Sequence, residues 1–362
     1  MQDTTAETTT RGTKNIGAIA RKARALFEEV AQSAPVEQLR KTLVDAFPVK
    51  HDLPLPAALQ AERKTITSSR GQTISFYVDR GKHGRPLVLL HSINACASAY
   101  EMKPLFDHYR GERPVYAVEL GGFGFSGRDE RAYDPELYER ELIDFLTRVR
   151  SQEEAADIVA LSLSCEFAAR VALQRPDLVN SLTFISPTGF DGAKKGHGDP
   201  PFAKLGAEKT RQAAHYWLSQ VVYDAIASRR SIAYFLGKSF VGEPDEGLRD
   251  YAYTTSHQPG ARFAPFAFLS GALFTKDVAE LYRQVDRPVL VLYDQDGFTH
   301  FDRLDEVVAQ SSRWTAVRIP NTKGMPHFER LEETTKAMDA FWTEQEHAAR
   351  THHAHGTHGH AA

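Results

Sequence analysis

Ile158-Val159-Ala160-Leu161-Ser162-Leu163-Ser164-Cys165 is the stretch whose reading decides the fold. The apolar run from Ala156 to Leu161 reads as a strand buried on both faces, and it stops at Ser162. Phe167, Ala168, Val171 and Ala172 then recur at helical spacing. A strand that passes through a serine straight into a helix is the context in which a sharp turn lifts the hydroxyl out of the sheet. The same turn aims the next backbone N–H at the site. Small residues must flank such a serine, and here they are Ala160 and Ser164, where the usual pattern has two glycines. On these residues alone a serine that merely caps a helix fits as well, so the surrounding chain has to decide.

Working outward, Arg85–Leu90 reads as a buried strand that runs into His91-Ser92-Ile93-Asn94-Ala95, with a helix from near Ala99. Pro114–Leu120 is a further strand, followed by the glycine-rich loop Gly121–Gly127 and a helix over Leu137–Val149. Upstream, Lys64–Ser68 and Thr73–Tyr77 flank Arg70-Gly71 as a hairpin. Downstream, strands are expected at Ser181–Ser186, Pro288–Tyr293 and Thr315–Ile319, and a last helix at Glu332–Trp342. Strands alternating with helices predict an α/β fold, a mostly parallel sheet flanked by helices with right-handed crossovers. Between Asp191 and Val285 the strand signals vanish, and the apolar residues are largely aromatic, among them Trp217, Tyr223 and Phe266. So long a stretch exceeds any ordinary loop and reads as a helical cap inserted over the sheet edge. The expected organisation is therefore an N-terminal extension at 1–56, disordered and then helical; a core at 57–190; a cap at 191–285; a second part of the core at 286–345; and a disordered His-rich tail at 346–362.

Composition excludes several classes. With 362 residues, 42% hydrophobic content and a net charge of −3, the chain is an ordinary globular protein with no footprint for nucleic acid. Cys96 and Cys165 are too few for a disulfide framework, and no apolar run reaches membrane-spanning length. The N-terminus lacks the pattern of a secretory leader, so a cytoplasmic location is the default expectation. Ile16, Ile19, Ala23, Leu26, Phe27 and Val30 fall at helical spacing with Arg21, Lys22 and Arg24 among them, so a basic amphipathic helix is expected there. Such a helix suits contact with a membrane surface or with its own domain, and we favour the second. The histidines of the tail suit loose divalent-metal binding and receive no role in catalysis. No cofactor or catalytic metal is expected, and the sequence does not give an oligomeric state.

With these motifs in hand, most of Thr65–Trp342 resembles the α/β-hydrolase superfamily. Leu90-His91-Ser92-Ile93 is similar to its L-H-G-x segment, and Glu119–Ser126 to its D-x-P-G-x-G-x-S loop. Pro288–Tyr293 followed by aspartates is similar to the strand that presents the catalytic acid. The resemblance implies a serine nucleophile, an acid and a histidine base in that chain order. Ser162 is the nucleophile. Asp296 is preferred as the acid, with Asp294 the alternative and Asp191 a distant third. His327 is taken as the base, because Gly324-Met325-Pro326-His327-Phe328 resembles the G-M-x-H-x-F of hormone-sensitive-lipase-like esterases. The commoner G-H-x-x-x-x-E spacing, aligned on Glu329, would instead put the histidine on Gly324. Backbone N–H groups of Ile93 and Leu163 are the implied oxyanion hole. Ser92, Trp217, Phe266 and His300 are expected around the substrate pocket, together with His91, which also suits a loop-fixing hydrogen bond.

An aromatic cap implies a small or medium hydrophobic acyl substrate. A serine nucleophile argues against dehalogenase and epoxide-hydrolase chemistry. Esterase, thioesterase, lactonase, C–C hydrolase and acyl transferase chemistry all stay open, with serine hydrolysis of an ester through an acyl-enzyme preferred. The competing class is a protein that binds ligand on this fold without turnover, as Ser92, Ala160, Ser164 and the missing G-H pair suggest. Gly122, Gly124 and Gly127 also spell G-x-G-x-x-G, but Arg128–Arg131 follows where a dinucleotide site needs a helix.

Overall fold

The computed structural model describes residues 50–150, 152–191 and 217–356. Eight strands form one sheet: β1 Glu62–Thr67, β2 Thr73–Asp79, β3 Leu87–Leu90, β4 Val115–Glu119, β5 Ala156–Leu161, β6 Val179–Ile185, β7 Val289–Tyr293 and β8 Trp314–Arg318. Their order is β1-β2-β4-β3-β5-β6-β7-β8. The β1–β2 and β2–β4 pairs are antiparallel, and every pair from β4 to β8 is parallel.

The continuous apolar runs have a simple cause: both faces of the parallel strands are buried. Val88, Leu90, Ile158, Ala160, Val289 and Val291 point into one core layer. Leu87, Leu89, Val159, Leu161, Leu290 and Leu292 point into the other. Helices α2 (Pro135–Arg150) and α3 (Ser164–Gln174) cover the first face with Phe145 and Phe167. Helix α1 (Lys103–Tyr109) and the last helix cover the second with Phe106, Met338 and Trp342.

Between β6 and β7 the cap contributes α4 (Trp217–Ile226), α5 (Arg229–Gly237), α6 (Glu246–Ser256), α7 (Phe263–Leu269) and α8 (Val278–Arg283). Short helices α9 (Leu304–Val308) and α10 (Pro326–Glu329) precede the last helix, α11, which spans Leu331–Gly356. That helix overruns the expected boundary at 345 and takes in the first part of the tail read as disordered. Good helix formers and a Glu346–Arg350 pair one turn apart extend it. The end of the expected N-terminal extension packs on the helices between β6 and β7: the Leu53 and Pro56 carbonyls accept from Gln258 and Tyr251. The expected amphipathic N-terminal helices lie outside the described residues, as does the side chain of Trp217.

Candidate active site

Register places the chemistry at the C-terminal ends of the parallel strands, the usual position for ligands in such sheets. Leu90 of β3 pairs with Ala160 of β5, so the segments leading to Ile93 and Leu163 leave the sheet side by side. Ser162 has φ 56°, a left-handed backbone that a serine adopts only when the structure forces it. Its N–H continues the ladder onto the Ile185 carbonyl at 2.9 Å. Ser164, where glycine is usual, is fully buried, and its hydroxyl donates to the His91 carbonyl at 2.5 Å. The hydroxyl thus joins the serine turn to the loop after β3, which explains why a side chain is tolerated there.

Glu101, which the sequence reading passed over, organises that loop. Its carboxylate accepts the Ser92 N–H at 2.7 Å and the Asn94 amide at 2.9 Å. Burial pushes its carboxyl above the ordinary range, against these hydrogen bonds. The signal was a glutamate among Ala97, Ala99, Met102, Leu105 and Phe106, all of which are buried. Tyr223 of α4 adds a contact from the cap, donating to the Ala95 carbonyl at 2.7 Å. Phe266 packs with Tyr223, Ala227 and Ala261 against Ala95. Among the described residues no hydrogen bond takes up the N–H of Ile93 or Leu163, so both donors remain for a ligand oxygen.

His91 braces two loops. It is fully buried: Nε2 accepts the Leu120 N–H at 3.0 Å and Nδ1 donates to the Ser92 carbonyl at 2.6 Å. Burial pushes its pKa down to about 4, so it is a neutral brace between two loops. Ser92 is also buried, with its hydroxyl accepting from Asn94 at 2.8 Å.

The two aspartates after β7 part company. Asp294 accepts Arg318 Nε at 2.5 Å and the Thr322 N–H at 3.2 Å, and so clamps β7 to β8 and its exit loop. Asp296 turns the other way. Its Oδ1 accepts the N–H groups of Phe298 at 2.6 Å and Thr299 at 3.2 Å. Its Oδ2 lies 2.7 Å from where a β-carbon on Gly324 would stand. Burial, reinforced by the Asp191 carboxylate, pushes the Asp296 carboxyl up to about 6. Asp191 also accepts the His300 N–H at 2.8 Å, and His300 itself is exposed. The third-ranked acid therefore sits beside the preferred one.

Among the described residues His327 is hydrogen-bonded to neither Ser162 nor Asp296. It is fully buried, and its Nε2 donates to the backbone carbonyl of Glu101 at 2.7 Å. That bond fixes the proton on Nε2, while Nδ1 is buried without a partner. Burial holds its pKa down to about 4. Proline at the start of α10 and the Glu329 carboxylate set this loop. Glu329 accepts the N–H groups of Lys323 at 2.8 Å and Val241 at 2.6 Å. Among the described residues no imidazole is hydrogen-bonded to Ser162 or Asp296. The hydrogen bond of His327, expected as the base, ties the loop after β8 to the segment before α1.

A polar cavity of about 800 Å³ lies at the opposite end of the strands, between Arg80–Arg85, Gln152–Glu154 and the last helix, away from this chemistry. No helix among the described residues is long and apolar enough to cross a membrane.

The fold and site define a serine-turn α/β protein with a helical insertion between β6 and β7. The alpha/beta hydrolase family model matches residues 87–337, and the chain belongs to that family. It is 28% identical over 223 residues to the Caenorhabditis elegans abhydrolase domain-containing protein abhd-5.2, covering 58% of this chain and 47% of that protein. It is 32% identical over 107 residues to human 1-acylglycerol-3-phosphate O-acyltransferase ABHD5, covering 29% of this chain and 30% of that protein. The matched stretches thus span less than half the length of these relatives. Among solved structures, a bacterial membrane phospholipase A superposes with a TM-score of 0.63 at 17% identity, over 94% of this chain and 99% of that one. A serine hydrolase of carbazole degradation gives 0.62 at 16% identity, over 78% and 98%. At these identities the structures establish the fold alone.

Proposed function

We infer that this chain is a hydrolase-fold protein that binds a hydrophobic acyl compound at Ser162 and does not turn it over through a histidine-activated serine. The observation that carries the reading is His327, sealed on the Glu101 carbonyl. A serine hydroxyl without a base is a poor nucleophile at neutral pH. What remains is a binding geometry: a strained serine, two N–H donors and a cap packed on the loop that carries one of them. A ligand carbonyl seated on Ile93 and Leu163 would be polarised, with its chain under the cap. The names of the similar proteins, an acylglycerol-phosphate acyltransferase by sequence and a phospholipase by fold, support an acyl ligand and do not select among head groups.

The test pairs 2-tridecanone, a carbonyl compound with nothing to hydrolyse, with 4-nitrophenyl decanoate. The ketone should bind the wild type saturably and fail to bind Ser162→Trp, which fills the site. The ester should be cleaved no more than a few-fold faster by wild type than by Ser162→Ala. Cleavage hundreds of times faster in the wild type would overturn the reading.

A further inference from the structure

We propose that Gly324 occupies the seat of a general base and that restoring an imidazole there converts the protein into a serine esterase. This inference rests on the reading of Ser162 as unassisted and deepens it by naming the residue responsible.

The acid, not the histidine, identifies the seat. In such sites the carboxylate orients the base, so the base must stand against the acid's available oxygen. Asp296 Oδ1 is committed to Phe298 and Thr299, whereas Oδ2 faces the Cα of Gly324. A β-carbon there would lie 2.7 Å from that oxygen, and its next neighbours would be Asp296 Cγ at 3.5 Å and Ser239 Cβ at 3.6 Å. The close contact is thus with the end of one carboxylate and not with backbone. Gly324 is absent from the glycines with positive φ, so its backbone does not demand glycine. Neither turn geometry nor packing against main chain accounts for the missing side chain. The position follows β8, while Ser162 follows β5 and Asp296 follows β7, so the three positions share one edge of the sheet.

The chemistry this restores is balanced without a further reactant. The imidazole at 324 accepts the Ser162 proton as Oγ bonds to the ester carbon, and the developing oxyanion rests on the N–H groups of Ile93 and Leu163. The imidazolium gives that proton to the departing 4-nitrophenolate as the C–O bond breaks, leaving an acyl-serine and a neutral imidazole. Water then attacks the acyl carbon and loses its proton to the same imidazole, which returns it to Ser162 Oγ as the acyl C–O bond breaks and the acid departs.

The experiment measures 4-nitrophenyl decanoate hydrolysis by wild type, Gly324→His, Gly324→Ala, Gly324→His/Ser162→Ala and Gly324→His/Asp296→Asn, each first shown to be folded by circular dichroism. Gly324→His should gain at least about 100-fold over wild type, the low end of what a positioned base supplies. The gain should carry a pH inflection near histidine's ordinary range, vanish with Ser162→Ala and fall sharply with Asp296→Asn. Gly324→Ala, which displaces Asp296 in the same way but offers no base, should gain nothing. A folded Gly324→His without gain, or an equal gain in Gly324→Ala, overturns the proposal. If Gly324→His does not fold, added imidazole should accelerate fluorophosphonate labelling of Ser162 in wild type and not in Asp296→Asn; no acceleration overturns it. Failure of ketone binding would sink the reading of the site, whereas ketone binding with no gain in Gly324→His sinks this inference alone.

Discussion

At the scale of single residues, the site depends on which way a few side chains turn. Asp296→Asn tests one of them. A carboxyl held at about 6 in the fold and near its ordinary value when unfolded stabilises the protein below about pH 4, and that contribution is lost as pH rises through 6. The amide carries no such penalty. Asp296→Asn should therefore melt above wild type at pH 8, by on the order of 1–3 kcal/mol, and level with it at pH 4. His327 runs the other way. Its pKa of about 4 lies below the free value, so its contribution is complete above pH 6.5 and fades as pH falls toward 4. His327→Gln, which keeps a donor for Glu101, should narrow its stability gap to wild type on acidification while leaving ketone binding intact. The serine turn was legible from residues because strand and helix periodicities meet at it. The orientation of the segment after β8 was not: Gly324 lies just before α10 and His327 within it, and only tertiary contacts decide which of the two faces Asp296. Asp294 and Asp296, two apart, turn different ways, with Arg318 drawing Asp294 toward β8.

At the scale of elements, the loop after β3 is held from two sides, by Glu101 beneath and by Tyr223 of α4 above. Glu101→Ala removes both carboxylate acceptors and leaves the Ser92 N–H buried without a partner. The expected cost is about 2–4 kcal/mol in chemical denaturation, with ketone binding lost. Tyr223→Phe deletes one buried hydrogen bond and should cost about 1 kcal/mol, while weakening ketone affinity by several-fold. In the glycine-rich loop after β4, packing supplies a reason for one glycine. At Gly122, φ is +90° and an added β-carbon would meet Ala264 of α7 at 2.4 Å. That glycine lets the loop pass close under the cap. Such contacts between distant segments leave no local pattern in a sequence.

At the scale of the whole molecule, the mostly parallel sheet was legible because strands buried on both faces show as unbroken apolar runs. The helices between β6 and β7 were legible by the absence of such runs. Helix α11 was read too short, since charged residues at its end resemble a tail by composition while still propagating a helix. A fold this complete, with its serine turn strained and its loop braced, retains the geometry for holding a carbonyl whether or not a base is present. Ligand binding should therefore raise the melting temperature of the wild type, and saturating 2-tridecanone should do so by a few degrees, an effect absent in Ser162→Trp.

The most direct test of the central claim, that Ser162 works without a histidine, is the rate of fluorophosphonate labelling across pH 5–9 in wild type and His327→Ala. We predict slow labelling at Ser162, equal in the two proteins and without an inflection near pH 6.5. Fast labelling in the wild type that follows a histidine titration and disappears in His327→Ala would contradict the account.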